Sequence, residues 1–346
     1  MIQLDSDSLV FTFPDVHPGA RLEIDFQRTL RIPDDGRDYP LPPGLGSFPL
    51  AHVDDHADRV PATWLTHGGV MLPMYQSEAM WLSFSAGHVA EHDTSYPFAV
   101  KVATGKICAV SGETWRNDLA RKPKQNYLAI PEQPWLDGYC VEEGIIRQFV
   151  AMPLGAGYTA EEQVTGKAEH GGLQLLVAPM KREAFDRRFP KVKRGSSRFR
   201  IDESLMDYCV ACSPAPDMGL APGGRMRQEI YRDPFDLADY DTEHASRCFV
   251  HIANSMVWRA ITGSPPPTVP PTAKEYTRRG LPWFDYYNEK ATALQGSDTL
   301  GILKSVFTLG REKGDQPLPE NTPVDPTNIK TIRKHLKPDQ VREGRF

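Results

Sequence analysis

The stretch RLEIDFQRTLRI, at residues 21–32, alternates apolar and polar side chains over most of its length. Leu22, Ile24 and Phe26 fall on one parity, and charged or amide side chains fall on the other. A period of two is that of a β-strand with one face buried. A second alternating run at 8–13 is separated from it by a turn rich in Pro and Gly, so the sequence predicts an opening β-hairpin.

Two further runs, 144–154 and 173–178, are apolar with little alternation. Runs of this kind are typical of strands buried on both faces, so we expect them at the centre of a sheet. Between them Thr159 and Glu162 match the Thr-x-x-Glu capping box, in which each side chain bonds a free backbone amide at a helix N-terminus. A short helix is therefore predicted to begin at residue 159.

The pattern changes after about residue 240. Apolar residues from Ala245 to Ile261 recur at spacings of three and four, which predicts one amphipathic helix over 242–262. Gly263 and the prolines at 265–267 would end it. Another helix is predicted after the capping box at Thr272, and a third over 298–309.

These elements predict an α+β fold whose N-terminal two-thirds is a mostly antiparallel, β-rich region and whose C-terminal third is helical. We expect one composite domain over residues 1–310, β-rich in 1–240 and helical in 241–310. Residues 311–346 are polar with scattered prolines, which predicts a loosely docked C-terminal tail.

Charge and cysteine content restrict the class of protein. A net charge of -5 gives no general attraction to nucleic acid or anionic membrane, although the basic run at 181–200 interleaves phenylalanines with its cations. Nucleic acid is therefore not expected as a partner. Five cysteines are an odd number at low density, and the chain shows neither a signal segment nor a membrane span. We expect a cytoplasmic protein with free thiols.

Four residues have the spacing of a zinc site. Cys209 and Cys212 form a C-x-x-C pair, and His244 and Cys248 would lie one turn apart on the predicted helix. The alternative is that Cys248 is a buried free cysteine on the apolar stripe of that helix. Zinc is thus one possible cofactor, and the sequence identifies no other.

A second set of residues has the pattern of an anion site. Gly155, Gly157 and Thr159 follow a predicted strand and open a helix, an arrangement that can bind phosphate through backbone amides. The imidazole of His170 follows this loop. The polar side of the predicted 242–262 helix adds three hydrogen-bond donors at spacings of four and three: Arg247, His251 and Asn254. A tight turn and a solvated helix face are the alternatives.

Two other histidine-rich segments fit simpler interpretations. Residues 88–92 match the H-x-x-E-H pattern of some zinc peptidases, but turn-forming residues on both sides indicate a loop. Residues 52–58 hold two imidazoles and three carboxylates, a composition that suits a metal ion and equally an acidic surface turn.

Three segments carry a resemblance: PEQPWLDGYCVEEGIIRQFVAMPLGAGYTAEEQVTG at 131–166, RCFVHIANSMVWRAITG at 247–263 and GLPWFDYY at 280–287. They resemble a family of bacterial and fungal hypothetical proteins, over most of the chain. The resemblance implies no particular activity and no site residues.

Two function classes follow. The chain has no G-x-S-x-G elbow, Walker A loop, kinase motif set or EF-hand loop, which favours a binding or assembly protein. Such a protein would recruit a protein partner, or a second copy of itself, through exposed aromatic residues at 283–287 and the acidic N-terminal segment. The alternative is an enzyme, with or without zinc, that acts on an anionic small molecule near residues 155–159, His170 and the helix stripe.

Overall fold

The computed structural model describes residues 1–191, 217–288, 291–316 and 318–333. In these ranges strands dominate, and 17 of them are joined by hydrogen bonds into one sheet. The strands are β1 (Ile2–Asp5), β2 (Ser8–Thr12), β3 (Arg21–Thr29), β4 (Asp38–Tyr39), β5 (Gly44–Ser47), β6 (Ala51–His52), β7 (Val70–Met74), β8 (Ala79–Ala86), β9 (His88–Val89), β10 (Thr94–Ser95), β11 (Phe98–Thr104), β12 (Ile107–Cys108), β13 (Leu128–Ile130), β14 (Trp135–Leu136), β15 (Gly138–Glu142), β16 (Ile145–Pro153), β17 (Leu173–Pro179), β18 (Asp217–Arg227), β19 (Ser246–Asn254), β20 (Trp283–Tyr287) and β21 (Ile329–Arg333).

The helices of the described ranges are short, and none exceeds eight residues. They are α1 (Ala62–His67), α2 (Ala160–Thr165), α3 (Arg182–Arg188), α4 (Ser255–Thr262), α5 (Ala273–Arg278), α6 (Asp298–Gly301) and α7 (Val306–Lys313). In the part of the chain that is described, no helix has the length and apolar character needed to cross a membrane. The capping boxes predicted at Thr159 and Thr272 are confirmed, at the starts of α2 and α5.

One path of antiparallel pairings runs through the sheet. It connects β1, β2, β3, β8, β16, β18, β19, β17, β11 and β13 in that order. β4 joins β18 and β7 joins β19 in parallel. The strand predicted from residue 21 is confirmed as β3, where Leu22, Ile24 and Phe26 are fully buried. The two apolar runs are also strands, β16 and β17, and each pairs on both sides.

The prediction of a helical C-terminal third is wrong. The helices are spread along the chain. The described part of residues 241–310 contains the strands β19 and β20, three short helices and the first part of α7. β19 lies between β17 and β7 in the large sheet, with Val250 opposite both Leu173 and Val70. The region predicted as helical therefore contributes a central strand of the sheet.

The single helix predicted over 242–262 is replaced by a strand followed by a helix. Val250 and Ile252 point to one side of β19 and Phe249 and His251 to the other, and all four are buried. A strand that is apolar on both faces also contains apolar residues at spacings of three and four, so periodicity alone does not distinguish it from a helix. Asn254 then begins α4 by accepting a hydrogen bond from Met256 N at 3.0 Å.

Two glycines permit the close approach of loops to β19. A Cβ added to Gly69 would lie 2.1 Å from Phe249 O, and one added to Gly172 would lie 2.4 Å from Val250 O. Both residues also have positive φ, 89° and 50°. Only glycine meets both requirements without strain, so these positions fix how β7 and β17 enter the sheet.

The main hydrophobic core contains buried residues from Leu9 to Val324. Val324 lies beyond residue 310, and β21 pairs in parallel with β20. The boundary between a domain at 1–310 and a tail at 311–346 stays a prediction.

Candidate anion-binding pocket

The chain carries two arginines at and just after the end of β3. Arg28 keeps the parity of Phe26 and is buried, where its Nε and Nη2 donate to Glu78 Oε1 at 2.9 and 2.7 Å. The strand ends after Thr29. The alternation of buried and partly exposed side chains ends there too: Arg31 is buried, and so are its neighbours on both sides. The chain thus places a second arginine inside the protein, only 3% exposed.

The guanidinium of Arg31 has few partners. Its Nη2 donates to Asn321 Oδ1 at 3.3 Å, while Nε and Nη1 are buried without a hydrogen-bond partner. Burial lowers the pKa of Arg31. An arginine nevertheless stays protonated in proteins, so this site holds a buried positive charge with two open donors.

Arg31 lines a pocket of about 190 Å³. Met152 and Val306 supply apolar wall, and the start of α7 supplies Phe307. Arg311, also on α7, is exposed and lines the pocket, with its guanidinium carbon 5.8 Å from the centre of the Phe307 ring. The pocket therefore combines a buried cation, a second cation on the surface and apolar walls, together with the carboxylate of Asp315, which accepts from the Tyr158 hydroxyl.

Two carboxylates lie near Arg31, but neither forms an ion pair with it in the described part of the chain. Asp34 accepts from Phe307 N at 3.2 Å and lies 3.8 Å from Arg147 Nη1. Glu320 Oε2 is itself buried without a partner. The negative charges of Glu320 and Asp34 raise the pKa of Arg31 and oppose the effect of burial. They help to keep Arg31 charged and leave its two donors open.

The backbone beside the pocket is strained at Ser77. This residue lines the pocket and has a φ of 70°, in the left-handed region that residues other than glycine rarely adopt. Its amide donates to Ala151 O at 2.7 Å, which holds the conformation in place. The left-handed conformation belongs to the turn that connects β7 to β8, and this turn places Ser77 in the lining of the pocket.

Comparison of the chain with protein-family models, with curated proteins and with solved structures finds no match in any of the three.

The predicted glycine loop lies beside the pocket but does not offer its amides. Gly157 N donates to Glu162 Oε1 at 2.7 Å, and Thr159 N donates to Glu162 Oε2 at 3.1 Å. The carboxylate of Glu162 thus takes the place that a phosphate would occupy. Gly155 has a φ of 89° in the same turn, and Tyr158 is the residue of this loop that lines the pocket.

The structure brings two of the predicted anion ligands, His170 and His251, to a different place. His67 lies between them, with its ring centre 6.1 Å from each of theirs. Phe249 stacks on His67 at 4.6 Å and on His251 at 4.4 Å. We call these three imidazoles the histidine cluster.

The chemistry of the histidine cluster is that of neutral imidazoles. Burial lowers the pKa of all three residues, and that of His251 to about 4. His251 Nε2 lies 3.1 Å from Gly68 O, so this nitrogen carries the proton. Within the described ranges, no group of three or more His, Cys, Asp or Glu side chains is arranged to hold a metal ion.

The two remaining predicted anion ligands contribute no anion contact here. Arg247 is exposed on β19 and lines a shallow pocket next to His67. Asn254 uses its side-chain oxygen to cap α4. The two residues flank His251 along the strand but do not join the Arg31 pocket.

The predicted zinc ligands are only partly described. Cys209 and Cys212 lie outside the described residues. His244 Nδ1 lies 2.8 Å from Asp241 Oδ2, and Cys248 is in β19 rather than on a helix. Burial raises the pKa of Cys248 to about 12, so its thiol is protonated. The zinc site stays a prediction.

Sequence reasoning did not identify Arg31 or His67. No pattern distinguishes Arg31, because it falls on the polar positions of the alternating sequence at 21–32, where an exposed arginine is expected. His67 does have a signal: the tripeptide His-Gly-Gly occurs twice, at 67–69 and 170–172, each time just before a strand that pairs with β19. The repetition could have indicated that these imidazoles meet.

Proposed function

We propose that this protein binds a small molecule through a carboxylate or phosphate group in the pocket around Arg31. The observation that carries the proposal is the guanidinium itself, which is buried and leaves Nε and Nη1 without partners. Burying such a charge is unfavourable unless it is paired and hydrogen-bonded. Nε and Nη1 lie on different edges of the guanidinium, so an oxyanion would pair with Nε and Nη2 on one edge or with Nη1 and Nη2 on the other, the two bidentate geometries that arginine favours.

The pocket limits the size and shape of the ligand. Its volume of about 190 Å³ is small beside the several hundred Å³ of sites for drug-sized molecules. Met152 and Val306 suit a short carbon skeleton, and Arg311 offers a second positive charge toward solvent. We therefore expect a small acid or phosphate ester rather than a nucleotide or a polymer.

The experiment is a titration with inorganic phosphate, acetate and succinate in low-salt buffer, followed by calorimetry and by thermal unfolding. We expect at least one probe to bind the wild-type protein and to stabilise it, by about 3 kcal/mol at a hundredfold excess over its Kd. Arg31→Met should abolish both effects. Arg279→Met, an exposed change of the same charge, should leave them intact. Equal stabilisation of wild type and Arg31→Met would contradict the proposal.

Glu320 provides a second test. If its charge competes with a bound anion, Glu320→Gln should tighten binding several-fold. If Glu320 is instead the natural partner of Arg31, the same change should destabilise the anion-free protein by roughly 3–5 kcal/mol. That second result would mean that the open donors are closed within the protein, and the anion site would be rejected.

Other predictions accompany this proposal. The sequence patterns predict a cytoplasmic location. They also predict a protein partner or self-association, and light scattering of the purified protein tests for self-association. The basic run at 181–200 lies partly outside the described residues, and nucleic acid is still not expected. An enzyme that acts on an anionic small molecule would share the ligand chemistry of the Arg31 pocket.

A further inference from the structure

A second pocket, of about 170 Å³, has aromatic walls. Trp81 and Trp135 line it, with ring centres 6.5 Å apart and ring planes at 74°. Phe284 closes another side. Tyr286 packs behind Trp135, with the ring centres 4.6 Å apart. Aliphatic side chains complete the lining: Leu41, Pro42, Pro43 and Ile332. The faces of aromatic rings carry negative electrostatic potential, so they attract a cation in contact with them.

One titratable residue, Asp137, lines this pocket in the described part of the chain. Asp137 is only 3% exposed, and its Oδ2 accepts from Gln228 Nε2 at 2.7 Å. Gln228 Oε1 in turn accepts from Asp137 N at 3.1 Å, so the carboxyl group is held in place by one neutral amide. Burial raises the pKa of Asp137 to about 7. The described residues supply no cation that pairs with it.

The arginines on the neighbouring strands β16 and β18 are engaged elsewhere. Arg147 lies 3.8 Å from Asp34 and donates to Gly223 O at 3.2 Å. Arg225 pairs with Asp38 and Glu142, and Arg227 pairs with Asp285. None of them contributes to the pKa shift of Asp137, whose causes are burial and the hydrogen bond from Gln228. The carboxyl group therefore has no charged partner among these arginines.

An unpaired donor also lies on one of the residues that line this pocket. Trp81 Nε1 is buried without a hydrogen-bond partner. The edge of the indole that carries it faces Gly44, which lines the pocket, since a Cβ on Gly44 would lie 3.3 Å from Trp81 Cζ2. A buried donor without a partner is unfavourable, and a ligand with an acceptor oxygen would relieve it.

We propose that the pocket formed by Trp81, Trp135, Phe284 and Asp137 binds a small organic cation, an alkylammonium group whose chain carries an acceptor oxygen. The aromatic faces attract the ammonium group, and the carboxylate of Asp137 neutralises it. Trp81 Nε1 donates to the oxygen. This site takes a ligand of the opposite charge to that of the Arg31 pocket, and the two proposals stand or fall separately.

The test uses choline and its uncharged isostere 3,3-dimethylbutan-1-ol, titrated into the full chain. Indole N–H resonances and tryptophan fluorescence report binding, and the Trp81→Phe spectrum assigns the Trp81 resonance. We expect saturable binding of choline that shifts the Trp81 resonance, and at least about tenfold weaker binding of the alcohol. Equal affinities for the two would mean that the pocket recognises apolar shape only, and the proposal would be wrong.

Variants separate the contributions of the walls and the carboxylate. Trp81→Leu should weaken choline binding at least about tenfold, because it removes an aromatic face and a donor. Trp81→Phe, which keeps a face, should weaken it only several-fold. Trp115→Leu changes a partly buried tryptophan outside this pocket and should leave binding unchanged.

The pH dependence tests Asp137. Choline keeps its charge at all pH values, so any dependence reflects the protein. Affinity should rise about tenfold from pH 6 to pH 8 as the carboxyl group ionises. Asp137→Asn, which keeps the shape, should bind more weakly at pH 8 and lose this dependence. A folded protein that binds no choline, or binds a proline-rich peptide through Trp81 instead, would overturn the assignment.

Discussion

Arg28 and Glu78 form a buried ion pair, in which Glu78 Oε1 accepts from Nε and Nη2 of Arg28 while its Oε2 accepts from Tyr75 N. The side chains are 8% and 1% exposed. Arg28 also donates to Thr268 O, so the pair fastens the loop before α5 to β3. Three residues later Arg31 is buried just as deeply with no such partner. The contrast separates a structural arginine from one that is open to a ligand.

Glu78→Ala should lower the free energy of unfolding by about 3–5 kcal/mol, because it leaves the charge of Arg28 buried and unpaired. Urea denaturation measures this loss. Glu312 pairs with Lys304, and both side chains are about half exposed. Glu312→Ala should therefore change the free energy of unfolding by less than about 1 kcal/mol. Similar losses in the two variants would contradict the distinction.

Arg31→Met should stabilise the anion-free protein, by about 1–2 kcal/mol, since it replaces a buried charge with open donors by an unbranched apolar side chain. The same urea series, run in a buffer without phosphate or carboxylate, reports the change. A loss as large as that of Glu78→Ala would mean that Arg31 holds the fold together, and the ligand-binding interpretation would lose its main support.

The acid stability of the protein should depend on His251. Its pKa is about 4 in the folded protein, against an ordinary value of 6.5, because the ring is buried. Between these values the unfolded chain binds a proton that the folded protein does not, so the contribution of His251 is lost as pH falls from 6.5 to 4. The loss amounts to about 3 kcal/mol. Stability curves of wild type and His251→Gln should diverge over this window, and parallel curves would exclude the effect.

Asp137 should give stability the opposite pH dependence, a loss as pH rises. Its pKa is raised to about 7 in the folded protein, from an ordinary value of 3.8. The folded state therefore binds the extra proton between these values, and the stability that it contributes is lost as pH rises toward 7. The difference is as much as about 4 kcal/mol. Asp137→Asn should remove this slope in denaturation curves taken from pH 4 to pH 8.

Thr159 should behave as a helix cap and not as a ligand of an anion. Thr159→Ala removes the bond to Glu162 N and should lower the free energy of unfolding by about 1 kcal/mol. Phosphate affinity, measured by calorimetry, should stay that of the wild type. A large loss of phosphate binding would instead restore the glycine loop as the anion site.

Local patterns in the sequence predicted part of this structure. The alternation that begins at Arg21 predicted β3, and its parity extends to Arg28, which is buried for that reason. The capping boxes at Thr159 and Thr272 predicted where α2 and α5 begin. Each of these signals depends on residues within one turn or one strand. Short-range hydrogen bonds and the direction of side chains are enough to decide them.

Tertiary structure alone decided the rest. Residues 246–254 form a strand because β7 pairs with one edge of it and β17 with the other. A run that is apolar on both faces does not by itself decide between strand and helix. Arg31 became a candidate site because its surroundings bury two of its donors and pair neither. The aromatic pocket needs Trp81, Asp137 and Phe284, which are far apart in the chain. Burial and the pairing of polar groups arise from contacts between distant segments, which local sequence patterns do not encode.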